Sequence, residues 1–336
     1  MIELNALPVI SAPLPWQSDA WSQCLQQLEQ GRFPHALLIS GAPGIGKSRF
    51  ALALARLLLC HRPNAGHNCG ECPACEHSRQ GTHGDFRWVQ AEGDSRVIKV
   101  DQIRDAINFA QWTAGFGQRK VLVLAPADDM NINSANALLK SLEEPAANTH
   151  MILVCQRLHG VPATVRSRCQ LLKLPLPEAA LSLDWLDQVT GDRQSSSALL
   201  KIAEQRPLQA EQLYREAGAE GALQQEDALT ALVEHRMSVA EVHKVLGEVP
   251  PPELLIVLLS FVERWIKNMD AASLAASGRS AFALLDSLRL QQVAVAGGSN
   301  PNRQLFTESL LIRLRRELGP AQSNAKMPRN RRAMTK

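Results

Sequence analysis

Five short apolar runs mark the first half of the chain, at 35–40, 86–90, 121–124, 151–155 and 171–174. Continuous runs of this length, too short for helices and flanked by polar, Gly or Pro positions, predict strands covered on both faces, as in a parallel sheet. Ahead of the first run, 17–30, and between the runs, 49–60, 101–112 and 133–144, lack internal Gly and Pro and predict helices. In the third, Asp101 suits the N-cap, and Ile103, Ile107 and Ala110 share a face; the fourth stops at Pro145. Strands alternating with helices predict an α/β doubly wound parallel sheet of five strands with helices on both faces.

After Pro175 and Pro177 the strand signals stop. A small helical module with Trp185 and Leu186 at its core is expected to about 218, then several helices over 222–318, broken at 247–252 and 297–301. The last stretch carries Lys326, Arg329, Arg331, Arg332 and Lys336 with little apolar content and reads as a disordered basic tail. The expected divisions are 1–175 with an insertion at 60–76, then 176–218, 219–319 and 320–336.

A length of 336 residues exceeds one ordinary core, and 45% hydrophobic with 21% charged residues suits a soluble globular chain. A net charge of +3 is too small to announce nucleic-acid binding by itself. The longest apolar run, 254–262, is interrupted by Ser260 and falls short of the ~20 residues a bilayer needs. No secretory pattern opens the chain, so the cytoplasm is the expected compartment. In a reducing compartment its seven cysteines are metal ligands or buried thiols rather than disulfides.

Two motifs carry chemistry. Gly41, Ala42, Pro43, Gly44, Ile45, Gly46, Lys47 and Ser48 spell a phosphate-cradling P-loop between the first strand and the helix at 49–60. Its glycines let backbone N–H groups converge on phosphate, Lys47 reaches the terminal phosphates, and Ser48 can hold Mg2+. Cys60, Cys69, Cys72 and Cys75 then follow at a spacing that folds four thiolates around one ion, which predicts a structural zinc site in a polar insertion without a core of its own. His61, His67 and His77 lie nearby and could replace one ligand, with solvated side chains as the expectation. The stretch around Trp16 and Trp21 is read as packing on the P-loop module, without chemistry.

Hydrolysis requires more than a cradle. An ATPase of this architecture ends its third strand with an Asp for Mg2+ and often a Glu for the attacking water, whereas this chain has Ala125 and Pro126. Asp128 and Asp129 follow, about 10 Å beyond the strand if the chain stays extended, and are read as polar residues opening the next helix.

The run Pro34-His35-Ala36-Leu37-Leu38, the four cysteines, Ile98-Lys99-Val100-Asp101-Gln102-Ile103-Arg104, Asn136 through Pro145 with its Leu-Glu-Glu-Pro ending, and Ser167-Arg168-Cys169 resemble bacterial clamp-loader subunits of the AAA+ class. The missing acids bring the resemblance nearest to the delta-prime branch of DNA polymerase III, and Asn300-Pro301 with Leu305 to Leu311 resembles its collar.

The resemblance implies an AAA+ module, a small helical lid and an all-α collar. It also implies a stator in a hetero-pentamer with motor (gamma/tau-type) and delta-type subunits, which places a sliding clamp on primed DNA as part of the polymerase holoenzyme. Arg168 would be an arginine finger supplied in trans to a neighbouring motor subunit, with Arg166 as its alternate. A second nucleotide-sensing arginine has no clear match, Arg206 being the nearest candidate. Two other functions stay open: a working ATPase, with Asp128 or Asp129 replacing the missing acids, and a zinc-bearing DNA-binding module.

Overall fold

The computed structural model describes residues 8–92, 97–296, 299 and 301–319. The basic tail at 320–336 and Asn300 lie outside the described residues. The described residues divide into two compact units, one ending at Ala222 and one starting at Leu223.

The first unit is built on five parallel strands: β1 (Ala36–Ser40), β2 (Phe86–Val89), β3 (Lys120–Leu124), β4 (Thr149–Val154) and β5 (Gln170–Lys173). Their order is β2-β3-β4-β1-β5. Strand residues alternate between faces, and both faces are apolar. Leu37, Ile39, Val121, Val123, Ile152 and Val154 meet α1 (Ser18–Glu29) and α2 (Lys47–Leu59) through Trp21, Phe50, Leu54 and Leu58. Leu38, Leu122, Leu124, Met151 and Leu153 meet α4 (Val100–Gln111) and α5 (Ile132–Glu143) through Ile103, Ala106, Leu138 and Leu142. Cover on both sides is why the strands read as unbroken apolar runs.

Each expected strand and helix of this sheet is present within one or two residues of its expected ends. Two short helices carried no clear sequence signal. The first, α3 (Pro73–Gln80), begins inside the cysteine insertion with Pro73 in its first turn and Cys72 at the N-cap; the other is α6 (Ala163–Arg166).

Asp128 and Asp129 do not open α5. They lie in a separate 3-10 turn, Ala127–Asp129, while Asn131 caps α5 by accepting the Ser134 N–H at 2.8 Å. The cause is the buried Asp128 carboxylate, which accepts backbone N–H groups of Gln156 (2.8 Å) and Arg157 (3.2 Å) and curls the chain back onto the end of β4.

Next come α7 (Ala179–Thr190), α8 (Arg193–Ile202) and α9 (Pro207–Val233), the last interrupted by Gly218 at φ +70°. The helices up to Ala222 close a small core of Leu186, Leu199, Leu200, Ala203 and Ala210, with Trp185 partly buried beside it.

The second unit is helical. The end of α9, α10 (Val239–Leu246), α11 (Pro251–Asn268), α12 (Ala271–Ala296) and α13 (Arg303–Leu318) surround Leu229, Leu232, Leu255, Leu258, Val262, Leu284 and Leu311. α10 and α11 part at the expected place, a further break separates α11 from α12, where Asp270 accepts the Ser273 N–H at 2.7 Å, and the break expected at 297–301 falls mostly outside the described residues. Among the described residues, no helix is long and apolar enough to cross a membrane.

Candidate functional site

The P-loop leaves the C-terminal end of β1 and enters α2, so the helix N-terminus points at the cradle. Gly41 and Gly46 are required here: both have positive φ (+152° and +88°), and a Cβ would run into the Leu174 carbonyl at the first and Leu14 at the second. The Lys47 ammonium donates to the Gly41 (2.9 Å) and Ala42 (2.7 Å) carbonyls of its own loop. Burial lowers its pKa to about 8 against the opposing charges of Cys155 and Asp128, and Arg206 lowers it further.

Neighbouring segments hold the cradle from two sides. Trp16 Nε1 and Gln17 Nε2 each donate to the Ile45 carbonyl at 2.9 Å, so the N-terminal stretch does more than pack. From the other side, the Leu208 N–H donates to the Gly44 carbonyl at 3.1 Å, and the buried Glu211 pairs with Arg49 at 3.0 Å. The space left beside Gly44, Gly46, Lys47, Ser48, Gln156 and Leu208 is about 170 Å3, room for phosphate but below the roughly 300 Å3 of an ordinary ligand cleft. Arg206 is brought to this loop, its Cβ against Gly44, but its guanidinium pairs with Glu204 at 2.7 Å. At the acid positions, Ala125 is buried, and both Asp128 oxygens already accept N–H groups from Gln156 and Arg157.

The four cysteines converge as their spacing predicts. All four sulfurs lie within 4.8 Å of one another, with Sγ separations of 3.6 Å (Cys60–Cys69), 3.6 Å (Cys60–Cys75), 3.9 Å (Cys60–Cys72) and 3.9 Å (Cys69–Cys75). A regular tetrahedron with metal–sulfur bonds of about 2.3 Å has edges of about 3.8 Å, so the set fits a four-thiolate metal site. Backbone N–H groups of Glu71 and then Cys72 push the Cys69 thiol down to about 6, while burial pushes Cys60 up to about 12. A cation would offset the cost of ionising the buried thiols.

The nearby histidines have other contacts. His61 Nε2 lies 3.2 Å from the Phe116 carbonyl oxygen, His67 stacks on Trp21, and His77 Nδ1 lies 3.1 Å from Thr82 Oγ1. His61 is exposed, as expected, whereas His67 and His77 are half-buried against the rings of Trp21 and Phe116.

Arg168 lies between α6 and β5. Because Leu37 pairs with Gln170 and Ser40 with Lys173, it sits at the N-terminal end of β5, whereas the P-loop follows the C-terminal end of β1. Its Nε donates to Glu143 Oε1 at 2.7 Å, Nη2 reaches the same oxygen, and Nη1 donates to the Thr164 carbonyl at 2.9 Å.

Residues 16–178 match a protein-family model described as DNA polymerase III, delta subunit. A DNA polymerase III subunit delta' from Pseudomonas aeruginosa is 34% identical over 325 residues, spanning 91% of this chain and 98% of that protein. The chain belongs to the DNA polymerase III delta' family. A delta' subunit from Escherichia coli is 33% identical over 202 residues, 60% of each chain. In fold, the chain is similar to a DNA polymerase III gamma subunit-related protein from Thermotoga maritima, with a TM-score of 0.52 at 18% identity over 88% of this chain and 98% of that one. The fold that goes with this match is a five-stranded parallel sheet carrying the P-loop, followed by helical regions.

Three contacts in this delta' family member had no sequence signal. The Asn68 carboxamide accepts the Ser11 N–H (2.8 Å) and donates to the Val9 carbonyl (2.8 Å) and Cys75 Sγ (3.6 Å), tying the cysteine cluster to the N-terminal segment. The buried Asp85 carboxylate accepts N–H groups of Gly115, Phe116 and Gly117 at 2.7–3.0 Å and pairs with Lys120 at 3.2 Å. The third is Glu143 on Arg168. Only Glu143 falls inside a stretch that the family resemblance singles out, and nothing there assigns it a partner.

Proposed function

We propose that this chain is the stator of a clamp loader: a delta-prime subunit that joins motor (gamma/tau-type) and delta-type subunits in the cytoplasm and helps them place a sliding clamp on primed DNA, without turning over ATP itself. The observation that carries this reading is the separation of its parts. The P-loop lies at one end of the sheet, beside an Asp128 carboxylate that already accepts backbone N–H groups, while Arg168 lies at the other end, away from its own cradle, a placement that supports service to a neighbour.

In this reading Arg168 is the finger. A guanidinium against a transferring phosphoryl group spreads its donors over developing negative charge, which is worth about 10^3 to 10^5 in rate in related NTPases. The four cysteines hold one structural zinc; four thiolates leave no open position for water, so that metal would do no hydrolysis. Gly41, Gly44, Gly46, Lys47 and Ser48 form a cradle that takes ATP with Mg2+ weakly, because a nucleotide must displace Leu208. The lid is taken as 176–218 and the collar as 219–319, where exposed Leu274, Phe282, Leu290, Leu305 and Ile312 offer apolar surface to partner subunits.

The working-ATPase reading is disfavoured by the committed Asp128 carboxylate, and the DNA-binding reading by the near-neutral charge. The test is reconstitution: purified chain is mixed with motor and delta-type subunits, and assembly, ATP turnover and clamp loading are measured. The chain alone should show no turnover, and omitting it should abolish loading. Turnover by the isolated chain that Lys47→Ala removes would overturn the reading.

A further inference from the structure

We infer that Glu143 is the positioning residue for Arg168, fixing the angle at which the guanidinium meets a neighbour's phosphate. The inference rests on the finger reading of Arg168. Glu143 is the last residue of α5, followed by Glu144 and Pro145. A carboxylate at the negative end of a helix is electrostatically misplaced unless a cation faces it. Arg168 is that cation, 25 residues away in sequence.

The contact has a specific geometry. Nε and Nη2 share one edge of the guanidinium, and both address Glu143 Oε1; Nη1 is turned to the Thr164 carbonyl at 2.9 Å and lies 3.4 Å from Ser167 Oγ. The plane is thus held by the end of α5 on one side and by α6 on the other. Nη2 keeps a second hydrogen directed away from Glu143, and the side chain retains 33% of its exposure. An arginine already held in one orientation loses less freedom when it meets an anion, and orientation at this step is sensitive to displacements of an ångström.

A competing role has the opposite sign. A carboxylate that sheathes the arginine would lower turnover, so its removal would raise it. In the reconstituted complex, Glu143→Ala is expected to lower kcat by about tenfold with KM unchanged, inside the roughly 10²-fold that an ångström of misplacement costs. Glu143→Gln, which keeps an acceptor oxygen, should fall less. Because the residue acts through Arg168, Glu143→Ala combined with Arg168→Ala should be no slower than Arg168→Ala alone. Assembly and thermal melting of the Glu143 variants should match the unmodified complex. If Arg168→Ala lowers turnover while Glu143→Ala leaves it unchanged or raises it, the positioning role is wrong and the finger stands. If Arg168→Ala itself changes nothing, the finger reading fails and this inference falls with it.

Discussion

Leu208 and Gly44 are 164 positions apart, yet the N–H of the first donates to the carbonyl of the second at 3.1 Å, setting a helical segment on the mouth of the P-loop. The Leu208 side chain also lines the 170 Å3 cavity beside Lys47. Leu208→Ala should therefore enlarge the site and strengthen ATP binding by about tenfold, or about 1.4 kcal/mol. Lys47→Ala in the same background should remove that binding. Titration with a fluorescent ATP analogue reads both, and an unaltered affinity in Leu208→Ala would show that the segment does not gate the cradle.

The Lys47 ammonium adds a pH dependence. Burial leaves its pKa at about 8, below the ordinary lysine value, so the empty site loses its positive charge as pH rises past 8. A bound polyanion favours the ammonium, so binding above pH 8 takes up a proton. ATP affinity should hold level below pH 8 and fall above it, approaching tenfold per pH unit. Proton uptake measured by calorimetry in buffers of different ionisation enthalpy checks the sign.

Metal removal should act beyond the cysteines. Asn68 donates to Cys75 Sγ and clasps Val9 and Ser11, and Trp21 Nε1 donates to the Gly66 carbonyl at 3.1 Å. Protein purified without chelator should carry one zinc per chain. Chelation or Cys72→Ser should raise hydrogen exchange over 60–80 and 8–17 while β1, β3 and β4 stay protected. Asn68→Ala should keep the metal yet loosen 8–17. Absence of metal from such protein would remove the zinc assignment.

Arg168→Ala should leave the chain folded and able to assemble, because its ion pair with Glu143 is partly exposed and contributes about 0 to 1 kcal/mol. ATP turnover at the one motor site it faces, and clamp loading with it, should drop sharply. Lysine should not rescue, since an ammonium lacks the planar fork. Normal loading by an assembled alanine variant would contradict the assignment.

Asp85 should be a stability determinant rather than a functional one. Despite burial, the N–H groups of Gly115, Phe116 and Gly117 together with Lys120 hold its carboxyl below the usual carboxylate range. A depressed folded value contributes stability that is present above the unfolded value of about 3.9 and lost as pH falls through the lower folded value. Asp85→Asn leaves the buried Lys120 unpaired and should cost about 3–5 kcal/mol at neutral pH in urea unfolding. A change under 1 kcal/mol, well below that range, would mean the carboxylate is replaceable.

The strands, the P-loop and the cysteine cluster were legible because each is written in local spacing. A strand covered on both faces needs consecutive apolar residues, a phosphate cradle needs glycines at set intervals, and thiolates three residues apart reach one ion without help from the rest of the chain. Asp128 shows where such reading stops: two acids ahead of a helix suit its start, and only the arrival of the Gln156 and Arg157 N–H groups at the end of β4 turns the carboxylate inward.

The order β2-β3-β4-β1-β5, which sets β1 between β4 and β5, is likewise a tertiary outcome. Periodicity encodes that a residue is buried or exposed, not which distant residue it meets. The pairings Arg168 with Glu143, Asp85 with residues 115–117, Asn68 with Ser11 and Leu208 with Gly44 join segments brought together only when the sheet closes and the helices pack around it.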